Sequence, residues 1–491
     1  MAKLTIRVED KLATISPMIY GHFAEHLGRC IYEGFWVGEG SAIPNTRGIR
    51  NDTVAALRKL RAPVIRWPGG CFADDYHWAD GTGPRDARPS RLNIWWHDTE
   101  SNAFGTHEFI DLCRQTGAAP YICLNVGSGT PEEAAAWIEY CNCALPTTRA
   151  QQRATGGSPE PFNVKYWGVG NENWGCGGHF APDDYAREYR RFATYLRGRS
   201  ASPIELIACG HTTPDWNRRF LETLGDLRML DHLSVHRYYN CGHATEFTDT
   251  EYYNLYPRAL QVENDIVEAA TAIALYNRTA RKIGVIVDEW GVWHPEARGE
   301  SGLYQRNTLR DALVAAACFD VFNRHADVVT MANIAQTVNV LQCIAQTEGD
   351  KMWLTPTFHA YDLYQGHMGN AAVRVELDDV PTIEARKGDG AVVQQPVVSA
   401  SASLAPAKGE CVVTFQNLHL TDPLDVMIAL RSAKANRVAA EVLTAKDVRD
   451  HNGPDAPNKV RPKRFDLAAK GSTLRATVPP HSLVSARVAL R

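Results

Sequence analysis

The sequence has no apolar run long enough for a membrane helix, no excess of charge of either sign and no paired-cysteine motif. Each absence removes a class of function. No stretch of the 491 residues approaches the ~20 apolar positions of a bilayer span. The opening MAKLTIRVED alternates apolar and polar like a strand and lacks the apolar centre of a secretory signal, so the expectation is a cytoplasmic protein with no membrane contact. Lys+Arg 52 against Asp+Glu 56 leaves a net charge of −4, which provides no basic field for nucleic acid and points to a neutral partner. The 12 cysteines are scattered, with no C-x-x-C and no Cys/His spacing of zinc type, and they read as small reduced core residues. Cys71 and Cys176 stand apart because each lies in a Gly-rich loop, where a thiol could face a site or simply be packed. His22, His26, His77 and His211 join no carboxylate in a recognisable metal spacing, so they read as residues behind a site and no metal is expected. GHFAEHLGR, after the first apolar run, has no G-x-G-x-x-G; this argues against a doubly wound nucleotide fold, and no cofactor is expected.

What is present is an alternation of short apolar runs with longer helical segments from Met18 to about Gly366. The runs are Met18-Ile19-Tyr20, Val64-Ile65, Tyr121 to Leu124, Tyr166 to Val169, Ile204 to Ala208, Leu233 to Val235, Val285 to Val287 and Val328 to Met331. Eight such runs are what a (β/α)8 barrel requires, and barrel enzymes carry their chemistry at the C-terminal strand ends. Every run here is followed by polar groups: Glu25 and His26, Arg66, Asn125, Asn171 and Glu172, His211, His236 and Tyr238, Glu289, then Asn333 and Gln336. Between them, Thr130-Pro131-Glu132-Glu133 supplies a capping hydroxyl, a first-turn proline and an acidic residue three positions after the cap. Asp183 to Leu196 and Leu309 to Phe322 have the apolar spacing of barrel helices.

Beyond Gly366 the texture becomes β-like: Val373 to Val380, Ala391 to Leu404, Glu410 to Phe415, Asp425 to Leu430, Ala439 to Leu443 and Val484 to Leu490, with Asp450 to Pro462 as a loop. Leu4 to Val8 is expected to join the same body. The fold class is therefore α/β, a TIM barrel over residues 18–370, with a jelly-roll-like β-sandwich built from residues 1–17 and 371–491.

Glycoside cleavage needs a proton for the leaving oxygen and an anion at the anomeric carbon, and most glycosidases supply both with two carboxyls. Glu172 in GNEN and Glu289 in VIVDEW are two such groups at strand ends among aromatics. Asn171 can hydrogen-bond a sugar hydroxyl. Trp174, Trp290, Trp293 and the pair Trp95-Trp96 offer flat walls for sugar C–H groups. Strand alternation turns Asp288 away from Glu289, toward a helix. His236 reads either as a packing histidine or as a contact to substrate or a catalytic Glu.

GNEN at 170–173, DEWGVW at 288–293, GHFAEHLGRCIYEG at 21–34 and RWPGGCFADDYHW at 66–78 together resemble family 51 of the glycoside hydrolases, the α-L-arabinofuranosidases. The resemblance continues through NAFGTHEFIDLCRQTGA, NVGSGTPEEAAAWIEYCN, HRYY and NIAQTVNVLQ, and into NGPDAPNKV and PPHSLV near the C-terminus. It implies that Glu172 is the general acid/base and Glu289 the nucleophile of a retaining enzyme, with the carboxyls about 5–5.5 Å apart and Glu172 raised in pKa by the charge of Glu289. It also implies that Glu25, Asn171, Tyr238 and Gln336 hold the furanose hydroxyls and that Arg66 keeps the nucleophile anionic. Cys71 stands against the sugar where some members carry Asn. Trp95 or Trp96 closes the site from a loop, and Asn125 supports it. The implied activity is exo-acting release of terminal arabinofuranose from arabino-oligosaccharides, in a homo-oligomer that the resemblance makes a hexamer. Two readings compete with it: β-xylosidase or endoglucanase specificity on the same scaffold, and a non-catalytic carbohydrate-binding protein.

Overall fold

The computed structural model describes residues 1–491, and in it eight parallel strands close into a barrel in chain order. They are Gly21–Phe23, Val64–Trp67, Ala119–Leu124, Tyr166–Val169, Glu205–Cys209, His232–Tyr239, Gly284–Val292 and Val329–Ile334. Seven overlap the apolar runs. The first does not: Pro17–Tyr20 is a 3-10 turn, capped by the Ser16 hydroxyl and started by Pro17, and the strand begins one residue later. Apolar content placed the run, but a Ser-Pro start favours a helical turn over a strand.

The barrel interior follows from the strand period of two. Val64, Tyr121, Tyr166, Ile207, Ile286 and Met331, one from each of six strands, pack as a cluster of their own. Two residues further along these strands come Arg66, Cys123, Gly168, Cys209, Asp288 and Asn333. An apolar plug is thus followed, toward the strand ends, by a layer that carries Arg66, Asp288 and Asn333. The outer faces of the strands meet helices, among them Pro131–Asn142, whose cap Thr130 accepts from the Glu133 N–H at 3.1 Å, and Pro182–Leu196. Leu309–Arg324 is buried along nearly its whole length.

The C-terminal strands form a ten-stranded, mostly antiparallel sheet. Ala2–Thr14 lies inside it, antiparallel to Ala371–Asp378 and parallel to Leu424–Arg431, so both chain ends meet in one body. The expected run Ala391 to Leu404 is two strands, not one. Val392–Pro396 pairs with Thr382–Arg386 in a separate hairpin, and Ala400–Ala405 enters the large sheet. Pro396 has no N–H to continue a ladder, and the chain changes sheets there. Asp450 to Pro462 is irregular and is tied by an isolated bridge, Thr308 to His451, to the start of the Leu309 helix.

Candidate active site

Glu289 faces the barrel mouth because its strand is irregular. The register runs Val235 to Val287 and then His236 to Glu289, so Asp288 is the extra residue of a bulge. Asp288 follows Ile286 inward by simple alternation, and the bulge lets Glu289 point to the same side. The expectation that Asp288 turns toward a helix is therefore corrected. It accepts from the Tyr121 hydroxyl at 2.7 Å and the Asn333 amide at 2.9 Å, and lies 3.4 Å from Arg66 Nε.

Both oxygens of Glu289 are occupied. Arg66 Nη1 donates to Oε1 at 2.7 Å and the Tyr238 hydroxyl donates to Oε2 at 2.7 Å. Burial pushes this carboxyl up, but the charges of His236 and Arg66 together with these two hydrogen bonds outweigh it and hold it below the usual range. Arg66 is itself buried over the Phe23 ring, 4.5 Å from its centroid. Burial disfavours its charge, yet the carboxylates of Asp288 and Glu289 raise its pKa well above the ordinary value. Gly70 passes close by: a Cβ there would sit 2.9 Å from Glu289 Oε1, which accounts for the second glycine of Pro-Gly-Gly.

Glu172 lies in the turn that follows the fourth barrel strand. Gly170 has φ +85°, and a Cβ on it would collide with Asn173 Oδ1 at 2.2 Å; Glu172 itself has φ +42°, a strained conformation for a residue with a side chain. His236 Nδ1 is 2.8 Å from Glu172 Oε1 and 3.6 Å from Glu289 Oε2. Burial lowers the His236 pKa, the charges of Glu289 and Glu172 raise it, and the net shift is upward. One carboxylate oxygen of Glu172, one of Glu289 and a His236 nitrogen all lie within 4.8 Å of one another.

Around this pair the remaining polar groups are held by each other. Arg66 Nη2 donates to Asn171 Oδ1 at 2.6 Å, which turns the Asn171 amide nitrogen toward the Cys176 sulfur, 3.9 Å away. Gln336 Nε2 donates to Glu25 Oε2 at 2.9 Å and the Phe72 N–H donates to Oε1 at 3.2 Å, while Gln336 Oε1 is buried without a partner. Burial, then the charge of Glu289, push Glu25 up to about 7.

Two expectations about sulfur and aromatics are overturned. Cys71 and Cys176 are not free thiols; they are joined in a disulfide that links the second and fourth strand-end loops across 105 residues. Neither loop contains both partners, so no local spacing announces the bond. Trp290 is no substrate wall: it is fully buried, edge-on to Phe319 and Phe322 at 5.4 and 5.2 Å. Trp293 does reach the site's edge, T-shaped against Tyr238 at 5.2 Å. Trp174 donates to the Gly210 carbonyl and packs edge-on against His211. Trp95 and Trp96 are half-buried at the tip of the hairpin Arg91–Asn93 and Asp98–Glu100, their backbone N–H groups donating to Asn93 Oδ1, and they line a groove with Gly28 and Gly302. Asn125 sits further back and accepts from the N–H groups of Ser128 and Gly129, organising its own turn.

Asp74 is the residue that sequence reasoning missed. Buried at the base of the site, it accepts from three backbone N–H groups: Val126 at 2.7 Å, Gly127 at 2.9 Å and Asn171 at 2.7 Å. It pins the ends of the second, third and fourth strands together. Burial pushes it up to about 7 against the pull of those three donors. Its position in RWPGGCFADDYHW, eight residues after Arg66, was the available signal.

Known proteins resemble this chain over nearly its whole length. The family described as "Alpha-L-arabinofuranosidase 1 domain" matches residues 56–258, and "Alpha-L-arabinofuranosidase C-terminal domain" matches 288–482. An intracellular exo-α-L-arabinofuranosidase of Bacteroides ovatus is 40% identical over 99% of this chain and 95% of its own length. Among solved structures, the GH51 arabinofuranosidase of Xanthomonas axonopodis pv. citri superimposes with a TM-score of 0.94 at 38% identity, covering 99% of both chains. The α-L-arabinofuranosidase of Thermotoga maritima, solved as an arabinose complex, does so with a TM-score of 0.88 at 34% identity, covering 99% of this chain and 100% of that one.

Proposed function

The chain belongs to the family 51 α-L-arabinofuranosidases, and from that membership we propose that it is a retaining, exo-acting α-L-arabinofuranosidase that removes terminal non-reducing arabinofuranose from arabinan- or arabinoxylan-derived oligosaccharides. The observation that carries the mechanism is the pairing of unlike carboxyls. Glu289 is held as an anion by Arg66 and Tyr238, while Glu172 keeps Oε2 free of any nitrogen or hydroxyl donor. Glu172 delivers its proton to the leaving oxygen as Glu289 attacks the anomeric carbon. It then acts as base toward the water that releases the sugar. An oxygen separation below 4.8 Å supports retention, because inverting enzymes keep their carboxyls about 6.5–9.5 Å apart to admit a water.

Glu25, Asn171, Tyr238 and Gln336 are assigned to the sugar hydroxyls; the buried, unpaired Gln336 Oε1 supports this. Among the described residues no helix is long and apolar enough to cross a membrane. The Bacteroides ovatus relative's description as intracellular supports a cytoplasmic site of action, and family resemblance supports a homo-hexamer. Activity on a panel of nitrophenyl glycosides tests the specificity: α-L-arabinofuranoside beside β-D-xylopyranoside, β-D-galactofuranoside and β-D-glucopyranoside. Strong preference for the first is expected, and Glu289→Ala should abolish it. Equal turnover of the xylopyranoside or glucopyranoside would transfer the assignment to the competing specificities.

A further inference from the structure

The disulfide stands beside the proposed acid. Cys176 Sγ is 3.8 Å from Glu172 Oε2, the oxygen with no stronger partner, and the two sulfurs and a Glu172 oxygen lie within 4.8 Å of one another. We propose that reduction of this disulfide converts Cys71, Cys176 and Glu172 into a binding site for a thiophilic divalent cation, Zn2+ or Cd2+, and that the bound ion blocks hydrolysis.

The geometry fits such an ion without movement of the backbone. Zinc held by sulfur at ~2.3 Å and carboxylate oxygen at ~2.1 Å in a tetrahedron places those ligands about 3.6 Å apart, close to the 3.8 Å already present. Two sulfurs on one tetrahedral ion sit about 3.8 Å apart. Cα atoms 5.5 Å apart allow that span once each side chain turns about its Cα–Cβ bond. Two thiolates and one carboxylate select a soft or borderline cation over Mg2+ or Ca2+. A dithiol gives two electrons and two protons to the Cys71–Cys176 bond and becomes its own disulfide. The ion then displaces both thiol protons to solvent as the thiolates bind it. With Glu172 Oε2 on the metal, that oxygen has no proton to deliver. The inhibition, though not the binding, rests on the reading of Glu172 as the acid.

The test uses full-length protein in two forms, as isolated and after treatment with a dithiol removed under argon. Cd2+ is titrated into each while thiolate-to-cadmium charge-transfer absorption and arabinofuranosidase activity are followed. The expected result is one equivalent of Cd2+ bound by the reduced form alone, activity lost in parallel and restored by chelation, with Mg2+ inert. Cys176→Ser, treated identically, should bind at least about 10–100-fold more weakly; it also screens out the other partly exposed thiol, Cys143. Absence of the band in reduced protein, an equal band in Cys176→Ser, or equal inhibition of the oxidised form would overturn the site. A full band with activity intact would overturn the block, and with it Glu172 as a ligand of the ion; the role of Glu172 as acid is tested separately, by the leaving-group dependence of Glu172→Ala.

Discussion

Glu172 and Glu289 are the same residue type at two strand ends, and their neighbours separate their roles. Arg66 and Tyr238 engage both oxygens of Glu289, whereas Glu172 shares one oxygen with His236 and leaves the other open. Loss of the acid should therefore depend on the leaving group. Glu172→Ala is expected to lower kcat/KM by about 10²–10⁴ on arabino-oligosaccharides, whose leaving alcohol needs a proton, and far less on a nitrophenyl arabinofuranoside. Equal losses on both would reject the assignment. Glu25 carries a second, pH-dependent signature. With its carboxyl raised from 4.5 to about 7, the folded protein holds more protons than the unfolded chain between those values, so this group's contribution to stability is lost as pH rises through that window. Glu25→Gln removes the term. Thermal denaturation should show the stability of the variant relative to wild type rising from pH 4.5 to 7, by on the order of 1–3 kcal/mol. A difference independent of pH would contradict the raised carboxyl. Both glutamates were legible from sequence because a carboxylate directly after an apolar strand needs only local pattern to be noticed.

At the scale of elements, the site depends on features that local pattern does not encode. The bulge at Asp288 exists only relative to the register of the neighbouring strand, so alternation counted back from Glu289 misdirected that side chain. The disulfide joins two loops that no spacing rule connects, and Asp74 matters through three N–H groups whose own sequence is silent about it. The Thr130-Pro131 helix start was readable because cap, proline and Glu133 lie within four residues. Asp74→Asn turns an amide N–H2 toward one of those backbone donors. We expect a loss of about 1–3 kcal/mol in unfolding stability, with kcat/KM down about tenfold through displaced Asn171. Asp75→Asn is the control, since Asp75 meets only the Ser128 hydroxyl. Chemical denaturation and steady-state kinetics on both variants check this; equal behaviour of the two would remove Asp74 from the positioning of the site.

The whole molecule is closed by its ends. Residues 2–14 run between Ala371–Asp378 and Leu424–Arg431 within the ten-stranded sheet, so removing them opens two unpaired strand edges. Deletion of residues 1–14 is expected to yield insoluble or unfolded protein, measured as soluble yield and circular dichroism. A folded, active truncation would show that the sheet tolerates the gap. The barrel's eightfold count and the β-rich C-terminal texture were legible because seven barrel strands carry their own apolar signature and the first begins one residue after the run that marked it. Leu4 to Val8 was expected among the C-terminal strands, but which of them it pairs with, more than 350 residues away, is set by packing that no local pattern encodes.

The most direct measurement is proton NMR of the first product formed from a nitrophenyl α-L-arabinofuranoside in buffer containing methanol. Methyl α-L-arabinofuranoside is expected, with configuration retained through a glycosyl-Glu289 intermediate, and no product with Glu289→Ala. Methyl β-L-arabinofuranoside, or undiminished turnover by Glu289→Ala, would contradict that mechanism.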